Sequence, residues 1–466
     1  MTTTRRTDLA VLGVATALLR IRLVLATRPL SFDDGVYGLS VLALRGPARQ
    51  YHDVFSGQGP LYMPLLRAGD LLGFQAQWAP RMAGLVAAVL VTVVGAWLVG
   101  QAAGRVPALV AGALLATSGQ LISIFGSIEA DALVVAAGLV AVVLAINGRG
   151  PIAVGLACAV TLSIKNLMGV PPVLAAAFAL AFLVRESAGL AAAARSVAAT
   201  AGVALAGCVA FALPWGLSTV WDSSVAYHLD ARGVRFTELA NDLPRLVWHD
   251  DRTLLLVAAL GIVGFLVTPS VRGQAFGLAS TSKVTLLTVA AWTATAVTVV
   301  VLHKPMFIQH PTAFVVPLCL LAALTRPYWP AVVVIVVALA PLQVRQVGVH
   351  LGWSRPTGSV AEYIADVRAA VPPGGLALSD EPGILWWAGV GTPPQLIDTS
   401  FVRIATHRLD LAAVEAAAAR PDVCAVLAVS GRFNFLHLEQ PAGFELAQDY
   451  GNNRRLWVRP GCAPGG

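Results

Sequence analysis

Apolar positions gather in long runs. Segments near 8–27, 80–100, 106–125, 130–147, 151–164, 167–184, 196–215, 253–269, 284–302, 311–325 and 329–345 are bounded by charges, proline or glycine. Most approach the roughly 17–25 apolar residues that cross a hydrocarbon core, so the pattern predicts about eleven transmembrane helices. The first run is too long for a signal-peptide core and lacks a small-residue cleavage site, so it is expected to stay as a span. Two polar stretches, 28–79 and 216–252, are too long for simple connections between neighbouring helices. Within the first, Gly38 to Leu44 and Leu61 to Leu72 have the apolar spacing of short helices lying at the membrane interface.

The pattern changes at 346. Ser359 to Ala370 has helical periodicity, 375–379 reads as a strand, Asp410 to Arg420 as an alanine-rich helix, and Val423 to Val429 as a fully apolar strand. The expected architecture is an α-helical polytopic membrane domain over 1–345 and a small C-terminal α/β domain over 346–466. No glycine-rich phosphate fingerprint joins strand to helix in the second domain.

Composition agrees. Hydrophobic residues make up 57% of the 466 and charged residues 12%, against about 25% charged in soluble proteins. Arg5 and Arg6 precede the first run, and alternate counting puts Arg105, Arg149, Arg185, Arg195, Arg272, Lys283 and Arg326 on the same side. Positive loops stay cytoplasmic, so the N-terminus is expected inside and the C-terminal domain and both long loops outside, in a multi-pass plasma-membrane protein. The net charge of +7 is then a topology signal rather than a sign of nucleic-acid binding. Cys158, Cys208 and Cys319 fall in apolar runs, as packing residues do. Cys424 and Cys462 fall in the exported domain, where an oxidising compartment would let them pair.

The chemistry-bearing residues cluster at the predicted outer helix ends. Asp33 and Asp34 are adjacent carboxylates, which cannot both ionise freely in a desolvated pocket. They read either as a base or metal-binding pair, or as an interfacial acidic turn. Glu129 and Asp131 open the fourth run, as a second acidic site or as helix caps; acids so near hydrocarbon mark function by default. Lys165 and the group His303, Lys304 and His310 are cations where the charge rule expects few. A lipid phosphate would account for them, as would snorkelling lysine and interfacial histidine, and for His303 a metal.

These segments, in this order, resemble the GT-C superfamily of polyprenyl-phosphate-sugar-dependent glycosyltransferases, particularly the branch of protein O-mannosyltransferases and lipid A aminoarabinose transferases. Phe32-Asp33-Asp34-Gly35-Val36-Tyr37 is similar to that family's acidic pair and aromatic. Gly57-Gln58-Gly59-Pro60-Leu61-Tyr62 is similar to its Lys-Pro-Pro-Leu-Tyr element, Arg81 fits the start of the next helix, and Glu129-Ala130-Asp131 its second acidic site. The segment from His303 to His310 resembles its late-loop element.

The resemblance implies transfer of a sugar from a polyprenyl phosphate to a hydroxyl of a glycan, lipid or protein on the outer face, with inversion and with a divalent cation as a candidate cofactor. Its partners would be that donor, the acceptor and the surrounding membrane lipids. In that reading Asp33 and Asp34 are catalytic, Glu129 and Asp131 bind acceptor or metal, and Lys165, His303, Lys304 and His310 hold the donor phosphate. Tyr37, Gln58, Pro60, Tyr62 and Arg81 would line the substrate cavity. Gln58 departs from the pattern: aminoarabinose transferases have a phosphate-contacting lysine there, which Lys165 or Lys304 would replace. The competing readings are a carrier or flippase for a lipid-linked or anionic solute, and a sensor acting through its exported domain.

Overall fold

The computed structural model describes residues 6–233, 239–267, 280–303, 306–325, 329–350 and 359–462. Helices occupy all the apolar runs within the described residues. In chain order they begin with α1 (Arg6–Val24), the short helices α2 (Phe32–Leu44) and α3 (Tyr62–Leu72), then α4 (Met82–Ala103), α5 (Arg105–Thr117), α6 (Gly119–Gly126), α7 (Ala130–Ile146), α8 (Pro151–Ile164), α9 (Asn166–Ala188) and α10 (Leu190–Ala212). Leu239–Val267, Ser280–Leu302, Thr312–Leu324 and Trp329–His350 follow.

By length and apolarity, Ala79–Ala103, Asn166–Ala188, Leu190–Trp215 and Ser282–Leu302 can each cross a membrane alone. Ala130–Ile146, Pro151–Ile164 and Thr312–Leu324 are shorter apolar helices. The number of full spans is thus smaller by this measure than the eleven runs suggest.

Two of the sharpest turns need glycine. Gly104 (φ 96°) and Gly189 (φ 84°) are the sole residues between α4 and α5 and between α9 and α10, in backbone space that a Cβ disfavours. The run at 106–125 is broken rather than continuous: α5 and α6 meet at Ser118 with a bend of 58°. Each half-helix end finds a side-chain partner. Arg20 donates to the Leu115 and Ala116 carbonyls at 3.2 and 3.1 Å, and Asp251 accepts from the Gly119 amide at 3.0 Å. Freed backbone groups inside a bundle demand such partners.

The C-terminal domain is a four-stranded sheet of order β1-β2-β4-β3, with β1 (Leu376–Ser379), β2 (Val423–Ala428), β3 (Glu445–Gly451) and β4 (Arg454–Val458). β1 and β2 are parallel, as expected of an α/β unit, whereas β4 runs antiparallel to both β2 and β3. The hairpin β3–β4 turns at Asn452 and Asn453, both at positive φ, the chemistry of a tight hairpin. β2 is buried along its whole length, and a disulfide joins Cys424 to Cys462.

A buried ion pair ties the two parts together. Arg81, fully buried where the chain enters α4, donates from Nε and Nη2 to Asp34 at 3.0 and 2.5 Å. Its remaining donors cap the end of α1 at the carbonyls of Leu23, Ala26 and Arg28. Above it lie the indoles of Trp386 and Trp387, each 5.1 Å from the guanidinium carbon. Those tryptophans belong to Pro382–Ala388, the C-terminal-domain helix packed on α2. The approach depends on glycine: a Cβ on Gly35 would collide with the Gly383 amide, and one on Gly38 would stand 2.5 Å from the Trp386 ring.

Asp34→Ala should strand Arg81 without a counter-charge, at a cost of about 3–5 kcal/mol. The expected outcome is a clear drop in the thermal unfolding temperature of the purified protein, partly recovered by adding Arg81→Met. An Asp34→Ala protein that melts with the wild type would contradict this role.

Candidate active site

A cavity of about 810 Å³ opens where α2, the start of α7, the α8–α9 joint and the turn after Ser280–Leu302 meet the C-terminal domain. Its size is that of a small-ligand site. Asp33, Glu129, Lys165, His303 and His310, distant in sequence, all line it.

α2 sorts the adjacent aspartates. Ser31 caps it in extended conformation, its Oγ accepting from the Asp34 amide at 3.0 Å and donating to Glu129 Oε1 at 2.8 Å. Asp33 and Asp34 then sit in the first turn about 100° apart around the helix axis. Asp33 faces the cavity, where its Oδ2 accepts from Gln309 at 3.1 Å. Asp34 faces the core. Beyond Arg81 it accepts from the Leu30 and Ile128 amides at 3.0 and 3.1 Å, so both of its oxygens are engaged and it does not line the cavity.

Glu129 precedes α7 and is 4% exposed. Burial, and then the charge of Asp33, push its carboxyl well above the usual range, which favours its protonated form. Asp33 is raised by burial to about 6, against the lowering influence of Lys165 and of its hydrogen bond with Glu129. Asp398 and Asp131 add smaller upward contributions. The result is a proton-sharing carboxyl pair in which Asp33 is the member that ionises below neutrality.

Lys165 is the single extended residue (φ −149°, ψ 111°) between α8 and α9. Its Nζ lies 2.6 Å from Asp131 Oδ2, and Asp131 stands behind it outside the cavity lining. The long segment between α1 and α4 sets this joint. The Gly59 and Leu61 amides donate to the Ile164 and Ser163 carbonyls, both at 2.9 Å, and a Cβ on Gly59 would collide with the Ser163 oxygen.

The histidines stand edge to face, ring centroids 4.5 Å apart. The Phe307 amide donates to His310 Nδ1 at 3.3 Å, which leaves the ring proton on Nε2. Burial, reinforced by Lys165, pushes His310 well below its ordinary range and His303 to about 4. Both are therefore neutral donors at pH 7. Lys304 lies outside the described residues.

Of the five residues expected to shape the cavity, Tyr37 and Gln58 line it, joined by Gln58 Nε2 donating to the tyrosine hydroxyl at 2.8 Å. Pro60, Tyr62 and Arg81 do not. Tyr62 packs edge-on behind Tyr37, Pro60 is buried beside the Gly59 joint, and Arg81 is spent on Asp34. Three lining residues carry too little sequence signal to be found beforehand: Gln309 has no pattern of its own beside the histidines, and Phe401 and Arg432 reach the cavity from the C-terminal domain. Among the described residues no group of three His, Cys, Asp or Glu side chains is placed to hold a metal. Asp33 and Glu129 alone make an incomplete ligand set.

Solved structures share this arrangement of the chain. ArnT from Cupriavidus metallidurans bound to undecaprenyl phosphate matches with a TM-score of 0.69 over 99% of this chain and 100% of that one, at 13% identity. Its apo state matches with 0.66 over 97% and 98%, at 14% identity. An oligosaccharyltransferase from Archaeoglobus fulgidus, tethered to an acceptor peptide containing the NVT sequon, matches with 0.51 over 93% and 71%, at 11% identity. No family model and no curated protein matches the chain. The protein therefore shares the fold of these structures, a helical body with a small C-terminal sheet domain. Within that fold it follows the plan of ArnT along almost its whole length.

A raised carboxyl makes a checkable mark on stability. The folded-state affinity of Asp33 for its proton exceeds that of the unfolded chain, so its contribution is fully present below about pH 4 and is lost as pH rises through about 6. Asp33→Asn should therefore gain unfolding temperature relative to wild type as pH rises from 4 through 6, and keep a level advantage above. A difference that stays constant from pH 4 to 8 would contradict the assignment.

Proposed function

We propose that the protein is a membrane glycosyltransferase that moves a sugar from a polyprenyl-phosphate donor to an acceptor hydroxyl at the extracytoplasmic membrane surface. The observation that carries this reading is the meeting of a base-competent carboxyl, a charged lysine and two neutral histidines on one cavity. A GT-C fold, shared with a structure holding undecaprenyl phosphate, supports it.

In this reading the donor phosphate rests near Lys165, with neutral His303 and His310 as hydrogen-bond donors. The acceptor oxygen attacks the anomeric carbon as its bond to the phosphate oxygen breaks, and the acceptor proton passes to Asp33. Configuration at that carbon inverts. Glu129 keeps its own proton, so it holds Asp33 in the ionised form without competing for the acceptor's. The second negative charge that develops on the departing lipid phosphate is stabilised by Lys165, itself fixed by Asp131. Asp34 takes no part in proton transfer; with Arg81 it aims α2. No step is routed through a divalent cation, because Asp33 and Glu129 already share a proton. An N-terminus in the cytoplasm places the cavity and the outer domain outside.

The test is turnover of radiolabelled polyprenyl-phosphate sugars by the purified protein. Donor consumption should rise with pH through about 6, where Asp33 ionises. Asp33→Asn should lose about 10²-fold or more in rate, the usual contribution of a positioned base, while the protein stays folded. Wild-type turnover by that variant would remove Asp33 from the role. Lys165→Ala should weaken capture of undecaprenyl phosphate itself, and unchanged affinity would remove Lys165 from phosphate binding.

A further inference from the structure

The outer domain does more than cover the cavity. Two of its loops enter the wall, one bringing Asp398, Ser400 and Phe401, the other Arg432. Each is held from behind by a buried group. Arg403 donates to the Gln395 and Asp398 carbonyls at 2.9 and 2.6 Å, and the Ser400 amide donates to Asp398 Oδ1 at 2.8 Å. This fixes the loop at both ends of its turn. Asp380, fully buried after β1, accepts from the amides of Val429 at 2.8 Å and Arg432 at 3.1 Å, closing the second loop around one carboxylate.

The two side chains so presented differ in what they have left to give. Arg432 lies 3.7 Å over the ring of Phe32, the residue before Asp33, and its Nη1 is engaged by the Asp380 carbonyl, Ser430 and Glu381. Its Nε is buried with no partner among the described residues. Asp398 is near enough to Asp33 to raise that carboxyl's proton affinity, as Lys165 lowers it. A carboxylate and a guanidinium edge beside an aromatic ring form the donor and acceptor set that reads adjacent hydroxyls of a polyhydroxylated ring.

We propose that Asp398 and Arg432 are the residues that recognise the sugar ring, so that the outer domain supplies part of the substrate site. This rests on the reading that the cavity takes a lipid-phosphate-linked sugar. Lys165 would then hold what all such donors have in common, the phosphate, and the outer domain would hold what distinguishes them. A site built to hydrogen-bond a hydroxyl rejects analogues that lack or reorient it, because its own buried groups go unpaired.

The experiment compares full-length wild type with Asp398→Asn and Arg432→Gln, using bare undecaprenyl phosphate and a panel of undecaprenyl-phosphate-linked pentoses and hexoses. Asp398→Asn keeps the oxygen that accepts from Ser400, so the loop is retained. Asp398→Asn and Arg432→Gln should bind bare undecaprenyl phosphate within about twofold of wild type. Each should lose about tenfold or more in kcat/KM for the preferred sugar lipid, the effect of one hydrogen bond to a charged partner. Discrimination across the panel should narrow. Asp398→Asn should also shift the acidic limb of the pH profile to lower pH. Lys165, Glu129 and Asp131, the other charged groups influencing Asp33, are unchanged in that variant. Variants with wild-type kcat/KM, discrimination and pH profile would overturn the proposal and leave glycosyl transfer standing. A folded wild type that consumes no sugar lipid in the panel would overturn glycosyl transfer itself, and this proposal with it.

Discussion

The ion pair between Asp34 and Arg81 is the constraint on which the rest of the architecture turns. Both side chains are wholly buried. Desolvating two charges is costly, and the pair is tolerated because further hydrogen bonds engage both partners. Arg81 closes the carbonyl end of α1 while Asp34 gathers the amides of Leu30 and Ile128. One interaction thereby fixes the end of α1, the first turn of α2, the start of α4 and the approach to α7. The tryptophans stacked over Arg81 bring the C-terminal domain to the same point.

Helical geometry converts that structural knot into chemistry. With Asp34 locked inward, its neighbour must point about 100° away, and that direction is the cavity. A similar division recurs at Glu129 and Asp131: Glu129 lines the cavity, and buried Asp131 stands behind it and holds Lys165.

Much of this was legible in the chain. The apolar runs located the helices, the strand and helix signals of the C-terminal domain marked β1, β2, Ser359–Ala370 and Leu411–Ala418, and the charged residues at helix ends are those that converge. Other features were hidden by distance. Nothing local to Asp34 announces a partner at Arg81, and nothing near Ser118 announces that Asp251 caps the helix beyond it. The break in the 106–125 run is made possible by side chains far along the sequence. The edge strand β3 is mostly exposed and polar, so it has no apolar alternation to show it. Arg432 meets Phe32 only because the outer domain folds back on the first loop.

Glycosyl transfer at this cavity requires one spatial arrangement: a lipid-linked sugar with its phosphate near Lys165 and its anomeric carbon within reach of a base at Asp33. The most direct measurement is an electron cryomicroscopy structure of the Asp33→Asn protein with a bound polyprenyl-phosphate sugar. The expected result is the phosphate against Lys165, His303 and His310, with an acceptor oxygen placed between the substituted side chain and the anomeric carbon, about 3–3.5 Å from that carbon. A headgroup bound elsewhere, with this cavity filled only by solvent, would contradict it.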